Sequence, residues 1–131
     1  MRAADRVLDG YCILVVEDNF FIAEDVCDSL HQAGAEIVGP VGNIDEALQL
    51  ARKTQNLDCA VLDLNLHGET VEEIARVLHD RSVGFFFITG YETGGISEAF
   101  SGVPRLIKPF NGEALITMVR QQSRIGARQA N

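Results

Sequence analysis

Short, wholly apolar segments alternate along this chain with longer segments whose apolar residues recur at helical spacing. This alternation is the feature that most restricts the fold, because a strand without polar positions must be buried on both faces of its sheet. Alternating strands and helices with short connections predict a parallel sheet that carries helices on both faces. The predicted strands are CILVV (12–16), AEIV (35–38), CAVL (59–62), FFFI (85–88) and LI (106–107).

Helix-start signals occur between these strands, where the alternation requires them. Asn43 and Glu46 have the spacing of a capping box, in which each side chain satisfies a free backbone N–H of the first turn. Thr70 and Glu73 repeat that spacing before the third helix, and Asn111 can cap the last one. The sequence therefore predicts five strand–helix pairs in an α/β fold.

The length of 131 residues suits one domain and is too short for two ordinary ones. We expect a domain over residues 11–123, between a loose N-terminal tail of residues 1–10 and a C-terminal tail of residues 124–131. These tails leave no room for an output domain, so a stand-alone domain is the expectation. Such a domain buries enough surface to need no disulfide.

Charge and composition exclude several classes of function. The net charge of −8 repels phosphate backbones, which argues against a nucleic-acid partner. Cys12, Cys27 and Cys59 lie in apolar stretches, as small core residues of a reducing compartment do, and no histidine shares a zinc-ligand spacing with them. No segment approaches the ~20 apolar residues of a membrane span, and the N-terminus lacks the apolar core of a signal peptide. We therefore expect a cytoplasmic protein that binds no membrane.

Polar side chains stand where four of the predicted strands end. Glu17 and Asp18 follow the first strand, Asp63 ends the third, Thr89 ends the fourth, and Lys108 follows the fifth. Ligands of open α/β sheets bind beyond the carboxyl ends of the strands. If the strands are parallel, three carboxylates, a hydroxyl and an ammonium group share one edge of the sheet.

Three carboxylates at one edge repel each other unless a cation joins them. Mg²⁺ is the expected cofactor, because it takes oxygen ligands and is commonly held by one or two carboxylates together with phosphate oxygens. Lys108 suits a phosphate oxygen, and Thr89 can donate a hydrogen bond to the same group. Asp63 can then act as a nucleophile that takes a phosphoryl group as an acyl phosphate.

The chain resembles the receiver domain of bacterial two-component response regulators over residues 11 to about 123. The resemblance lies in VVEDN, VLDLNLHG, FITG and LIKPF, which occur in family order and near family spacing. It implies a flavodoxin-like, doubly wound (βα)5 fold with strand order 2-1-3-4-5. It also implies that Asp63 is the phosphorylated residue, that Thr89 and Lys108 contact the phosphoryl oxygens, and that the peptide bond before Pro109 is cis.

The same resemblance implies the ligands of Mg²⁺. Glu17 and Asp18 are the acidic pair that orients the ion, Asp63 contributes its carboxylate, and Asn65 contributes its backbone carbonyl. The resemblance also makes the protein a signalling switch that accepts and hydrolyses its own phosphoryl group, so we do not expect an enzyme with an external substrate. His67, on the loop of Asn65, is either a proton shuttle or a solvent-facing residue.

Departures from the family pattern fall in the switch region. Receivers usually carry an aromatic residue three positions before the lysine, where this chain has Arg105. The run Phe87–Glu92 is partly similar to a receiver subgroup with a Phe-Ala-Thr-Gly-x-Tyr signature that lacks this aromatic residue. Tyr91 is a candidate replacement for the missing ring, and with Asn65 it would border the path of the attacking water. We expect the glycine-rich segment 92–102 to order on phosphorylation.

The resemblance implies a sensor histidine kinase or a histidine phosphotransfer protein as phosphodonor, and a downstream protein partner in a phosphorelay. A homodimer would use the face formed by the fourth helix, fifth strand and fifth helix. Arg120, Arg124 and Arg128 recur every four residues. They either complement the negative end of the last helix or belong to such a docking surface.

Three other readings stay open on sequence alone. An interaction module of the same fold would never need phosphorylation, although such a module has no use for the complete polar set. A small phosphohydrolase would share an aspartyl-phosphate, but it usually has a second aspartate two residues after the nucleophile, where this chain has Asn65. The third reading is a receiver domain cut from a longer kinase or regulator.

Overall fold

Five parallel strands form one sheet in the computed structural model of this protein, which describes residues 6–66, 71–90 and 98–123. The order across the sheet is β2-β1-β3-β4-β5, and every neighbouring pair is parallel. The predicted fold class and strand order are confirmed. The strands are β1 (Cys12–Val16), β2 (Glu36–Val41), β3 (Cys59–Asp63), β4 (Gly84–Thr89) and β5 (Arg105–Ile107).

Helices follow β1, β2, β3 and β5 and cover both faces of the sheet. They are α1 (Phe20–Gln32), α2 (Ile44–Lys53), α3 (Glu72–Asp80) and α4 (Gly112–Gln122). Between β4 and β5, the described residues contain a single 3₁₀ turn, Glu98–Phe100, where the alternation predicted a helix. The helix predicted to follow the fifth strand is therefore the fourth helix of the structure, α4. None of the helices in the described ranges has both the length and the apolar character that crossing a membrane requires.

Alternate residues of the central strands supply two separate cores. Leu14, Ala60 and Phe87 point to the face covered by α2 and α3, whereas Ile13 and Val61 point to the face covered by α1 and α4. Every residue of β1 and of β3 is buried. This burial on both faces is why the two segments contain no polar residue until Asp63 at the end of β3.

Asparagine caps start three of the four helices. The side-chain oxygens of Asn19, Asn43 and Asn111 accept hydrogen bonds from the backbone N–H three residues later. The caps predicted at Asn43 and Asn111 are confirmed. The third helix has Val71 at its cap position with no side-chain cap, and Thr70 of the predicted capping box lies outside the described residues.

Most predicted strand bounds differ from the structure by one residue, and two boundaries differ by more. Leu8 is fully buried, and its N–H donates to the Ala33 carbonyl, so residues 6–10 are anchored to the domain through Leu8 and are not a loose tail. The second strand runs to Val41 and includes a cis Gly39–Pro40 bond, beyond the predicted end at Val38. An edge strand accepts proline because one side of its backbone needs no partner. Residues 124–131 lie outside the described ranges.

Candidate functional site

The carboxyl ends of β1, β3, β4 and β5 meet at one edge of the sheet, as parallel strands require. Glu17 follows β1 directly, Asp63 is the last residue of β3, Thr89 is the last of β4, and Lys108 follows β5. All three of Glu17, Asp63 and Thr89 are at most 3% exposed. The structure thus brings Glu17, Asp18, Asp63 and Lys108 together, as the sequence predicted, and only Asp18 and Lys108 of these keep partial exposure.

Lys108 links two of the carboxylates by ion pairs. Its Nζ lies 2.9 Å from Oε2 of Glu17 and 3.5 Å from Oδ2 of Asp63. Its side chain is 20% exposed, whereas the side chains of its two partners are almost fully buried. The ammonium group therefore reaches inward from the rim to both acids.

Backbone contacts fix the position of Lys108. Its N–H donates to the Thr89 carbonyl over 2.7 Å, which continues the β4–β5 pairing past the last residue of β5. The Lys108–Pro109 peptide bond is cis, as the family resemblance implied. The lysine and the threonine that flank the acidic pocket are thus held by one hydrogen bond between neighbouring strand ends.

Glu17 is held from two sides, and its pKa is raised. Its N–H donates to the Val41 carbonyl over 2.9 Å, and its Oε1 accepts from the N–H of Asn19 over 3.0 Å. Burial is the largest cause that raises its pKa from the ordinary value of 4.5 to about 7. The hydrogen bond with the Asp63 carboxyl also raises the pKa, while the Asn19 N–H and Lys108 oppose the change.

Glu17, Asp18 and Asp63 form a candidate cation site. One carboxylate oxygen from each residue lies within 4.8 Å of one from each of the others. Oδ1 of Asp63 also accepts the Asn65 N–H over 2.9 Å, so the Asp63 carboxylate is fixed by Asn65 on one side and Lys108 on the other. Crowded hard oxygen donors, one of them with a raised pKa, fit a small divalent cation that would replace the proton.

The remaining predicted residues lie at or beyond the edge of this cluster. Asn65 has an exposed side chain, and its backbone is the part that touches Asp63. Arg105 is half-buried at the start of β5 and pairs with Phe87 in register, so its backbone lies two residues before the strand ends. Tyr91 and most of the segment expected to order on phosphorylation lie outside the described residues.

Sequence reasoning missed two residues that support the acidic pair. Asn19 caps α1 with its side chain and donates its N–H to Glu17. Its position directly before the apolar residues at helical spacing could have identified it as a cap. Gly42 lies against Asp18, where a Cβ would come 3.2 Å from the Asp18 Cα. No sequence signal identified that close approach, because it joins two separate strand ends.

No protein-family model matches the chain, and no curated protein matches it. Solved structures do match. SdrG from Sphingomonas melonis Fr1 is 31% identical, with 91% of this chain and 98% of SdrG covered and a TM-score of 0.72. A response regulator receiver protein from Sinorhizobium medicae WSM419 is 26% identical over 86% of this chain and 93% of its own, with a TM-score of 0.73.

A third similar structure carries ligands. A response regulator protein from Burkholderia pseudomallei, solved with a phosphorylated aspartic acid, calcium ion and citrate, is 26% identical. The match covers 92% of this chain and 71% of that one, with a TM-score of 0.68. These similarities agree with the fold and with the clustered strand-end residues. The chain belongs to the response-regulator receiver family.

Proposed function

We propose that the protein accepts a phosphoryl group on Asp63 from a phosphohistidine donor and passes on a signal in a two-component phosphorelay. The observation that carries this proposal is the position of Lys108, whose ammonium group lies 3.5 Å from Oδ2 of Asp63 in the cluster of three carboxylates. A buried carboxylate beside a lysine is a nucleophile with a phosphate-binding group next to it.

The transfer exchanges one bond for another. An Asp63 carboxylate oxygen attacks phosphorus, the bond between phosphorus and the donor imidazole nitrogen breaks, and that nitrogen keeps the electron pair and takes a proton. Lys108 pairs with a phosphoryl oxygen as negative charge accumulates there, and the Thr89 hydroxyl donates to another. Hydrolysis by water returns the carboxylate. The chain would thus act on its own aspartate, with no external substrate turned over.

Glu17, Asp18, Asp63 and the backbone carbonyl of Asn65 would hold Mg²⁺. The ion supplies positive charge that offsets the charge of the transferred group. The carboxylate cluster of this chain supports a divalent cation, and the similar Burkholderia protein holds calcium together with a phosphorylated aspartate. Mg²⁺ is proposed over calcium because few protein oxygens converge here, and Mg²⁺ commonly completes such a set with waters and phosphate oxygens.

The protein partners follow from this chemistry. The donor is a histidine kinase or a histidine phosphotransfer protein, because either presents a phosphoryl group on an imidazole nitrogen. The output is a change of surface that a downstream protein reads, since phosphorylation adds charge and three acceptor oxygens at one buried point. Thr89 would carry that change from Asp63 to the chain that follows β4.

The test is incubation with phosphoramidate and Mg²⁺, followed by intact mass spectrometry. The wild-type protein should gain one phosphoryl group, and Asp63→Asn should gain none. Omission of Mg²⁺ should slow the gain. A wild-type mass that stays unchanged would support the alternative of a phosphorylation-independent interaction module, and steady hydrolysis of unrelated phosphate esters would support a phosphohydrolase.

A further inference from the structure

A groove lies at the amino edge of the sheet, where β4 and β5 begin and where α3 and α4 end. Its volume is about 620 Å³, and its lining includes Val83, Phe85, Phe100 and Gln122. Binding clefts commonly span roughly 300–1,000 Å³. The carboxylate cluster lies at the opposite edge, and the length of β4, about 17 Å for a six-residue strand, separates the two. The groove is therefore a surface distinct from the acidic site.

The groove exists because the connection from β4 to β5 covers little of the sheet. The described part of this connection contains one 3₁₀ turn, Glu98–Phe100, in place of a full helix beside α3. The ring of Phe100 meets that of Phe85 edge to face, with centroids 6.2 Å apart, and both residues line the groove. An apolar side chain inserted here would contact aromatic rings that the domain itself does not cover completely.

The charged side chains of the groove are basic, although the chain is acidic. The sequence has 19 acidic and 11 basic residues, yet no acid is among the described residues that line the groove. Arg76 and His79 line it, and because they stand three positions apart on α3 they share one face of that helix. Both are exposed, and neither forms an ion pair within the described ranges. The groove therefore suits an apolar segment that also carries acids.

The start of α1 has this combination of apolar and acidic side chains. Phe20 is 69% exposed and Phe21 is 75% exposed, and their rings meet edge to face with centroids 5.5 Å apart. Neither ring belongs to the two cores of the domain. Glu24 and Asp25 follow the two rings by four positions, so they lie on the same side of the helix, and both are exposed. The 13 residues of α1 include no lysine or arginine.

We propose that the protein self-associates head to tail, with the phenylalanine pair of one copy seated in the groove of the next. The acids one turn further along α1 then face the two basic side chains of α3. Because α1 begins at the carboxyl edge and the groove lies at the amino edge, each contact leaves one free phenylalanine pair and one free groove. Such a heterologous contact extends into chains or closes into rings. It does not depend on phosphorylation of Asp63.

Two other occupants of the groove fit its charge less well. Residues 124–131, which follow the last described residue, contain two arginines and no acidic side chain, so Arg76 and His79 would repel them. A symmetric contact between the phenylalanine pairs of two copies would leave the groove empty and would bring the acids of α1 face to face, which like-charge repulsion opposes. The acidic, apolar start of α1 in a second copy matches the groove in both respects.

The test is sedimentation equilibrium of the purified protein from about 10 μM to about 1 mM, because an interface of this size is small and small interfaces are weak. The weight-average mass of the wild type should rise with concentration. A ring variant, Phe20→Ala/Phe21→Ala, and a groove variant, Arg76→Glu/His79→Glu, should each associate about 30-fold more weakly or not at all, since aromatic anchors and facing charges carry such contacts. All four side chains are exposed, so circular dichroism of both variants should match the wild type.

A mixture of the two variants tests the head-to-tail geometry. The ring variant keeps an intact groove and the groove variant keeps intact rings, so an equimolar mixture should form dimers and no larger species, although each variant alone stays monomeric. Val7→Ala shortens an exposed apolar side chain outside both surfaces and should associate as the wild type does. A wild type that stays monomeric over the whole range would overturn the proposal. A groove variant that associates as strongly as the wild type, or a mixture that stays monomeric, would overturn it as well.

Discussion

Replacing Glu17 by glutamine should stabilise the metal-free protein above pH 7. Burial and the neighbouring Asp63 raise the pKa of Glu17 from 4.5 to about 7, despite the opposing Lys108 ion pair. This difference corresponds to about 3 kcal/mol at high pH, because each pKa unit is worth about 1.4 kcal/mol. Glutamine can still accept the Asn19 N–H and carries no charge that must be buried. We expect a gain of about 2–3 kcal/mol in the free energy of unfolding at pH 8.

The pH dependence follows from the direction of the pKa change. Between pH 4.5 and about 7 the folded state holds a proton on Glu17 that the unfolded chain has released, so this residue lowers stability progressively as pH rises through that window. Below pH 4.5 both states are protonated, and above about pH 7 both have lost the proton. Urea unfolding in EDTA at several pH values should show this decline in the wild type and a flatter profile in Glu17→Gln.

Glu24→Gln is the matched control, because it makes the same substitution at an exposed position of α1. Its stability profile should follow that of the wild type. If Glu17→Gln is less stable than the wild type at pH 8, the Lys108 ion pair outweighs the cost of burial, and the reasoning on the acidic pocket is refuted. Parallel pH profiles would refute it as well.

Three further changes test the packing and the site. Gly84→Ala should destabilise the protein by about 1–3 kcal/mol in urea unfolding, because its Cβ would meet the backbone oxygen of Gln122, whereas Gly102→Ala points into open space and should not be destabilised by a clash. Asn43→Ala should cost about 1 kcal/mol in the same assay, since its side chain caps α2. Lys108→Ala should slow phosphorylation by phosphoramidate about 100-fold, as loss of one preorganised charged donor commonly does. A rate within a few-fold of the wild type would remove Lys108 from the proposed chemistry.

Elements buried on both faces were predictable, and half-exposed ones were less so. The apolar runs of β1 and β3 appeared as strands in the sequence because every one of their residues is buried. The edge strand β2 contains only exposed and half-buried residues, in no regular alternation, and its Gly39–Pro40 step resembles a turn in sequence, so its second half was missed. Leu8 was missed because Val7 and Leu8, two adjacent apolar residues in a short polar segment, give no periodicity that tells which of them is buried.

The sequence by itself determined which residues stand at the strand ends, because alternation dictates a parallel sheet and a parallel sheet collects its carboxyl ends at one edge. Only the tertiary structure decided what those residues do to one another. The 2.9 Å approach of Lys108 to Glu17 and the raised pKa of Glu17 depend on burial and on distances between chain-distant groups, which no local pattern encodes. The same holds for Phe20 and Phe21, which are apolar in the sequence and exposed in the fold, because neighbouring elements determine which side of α1 is covered.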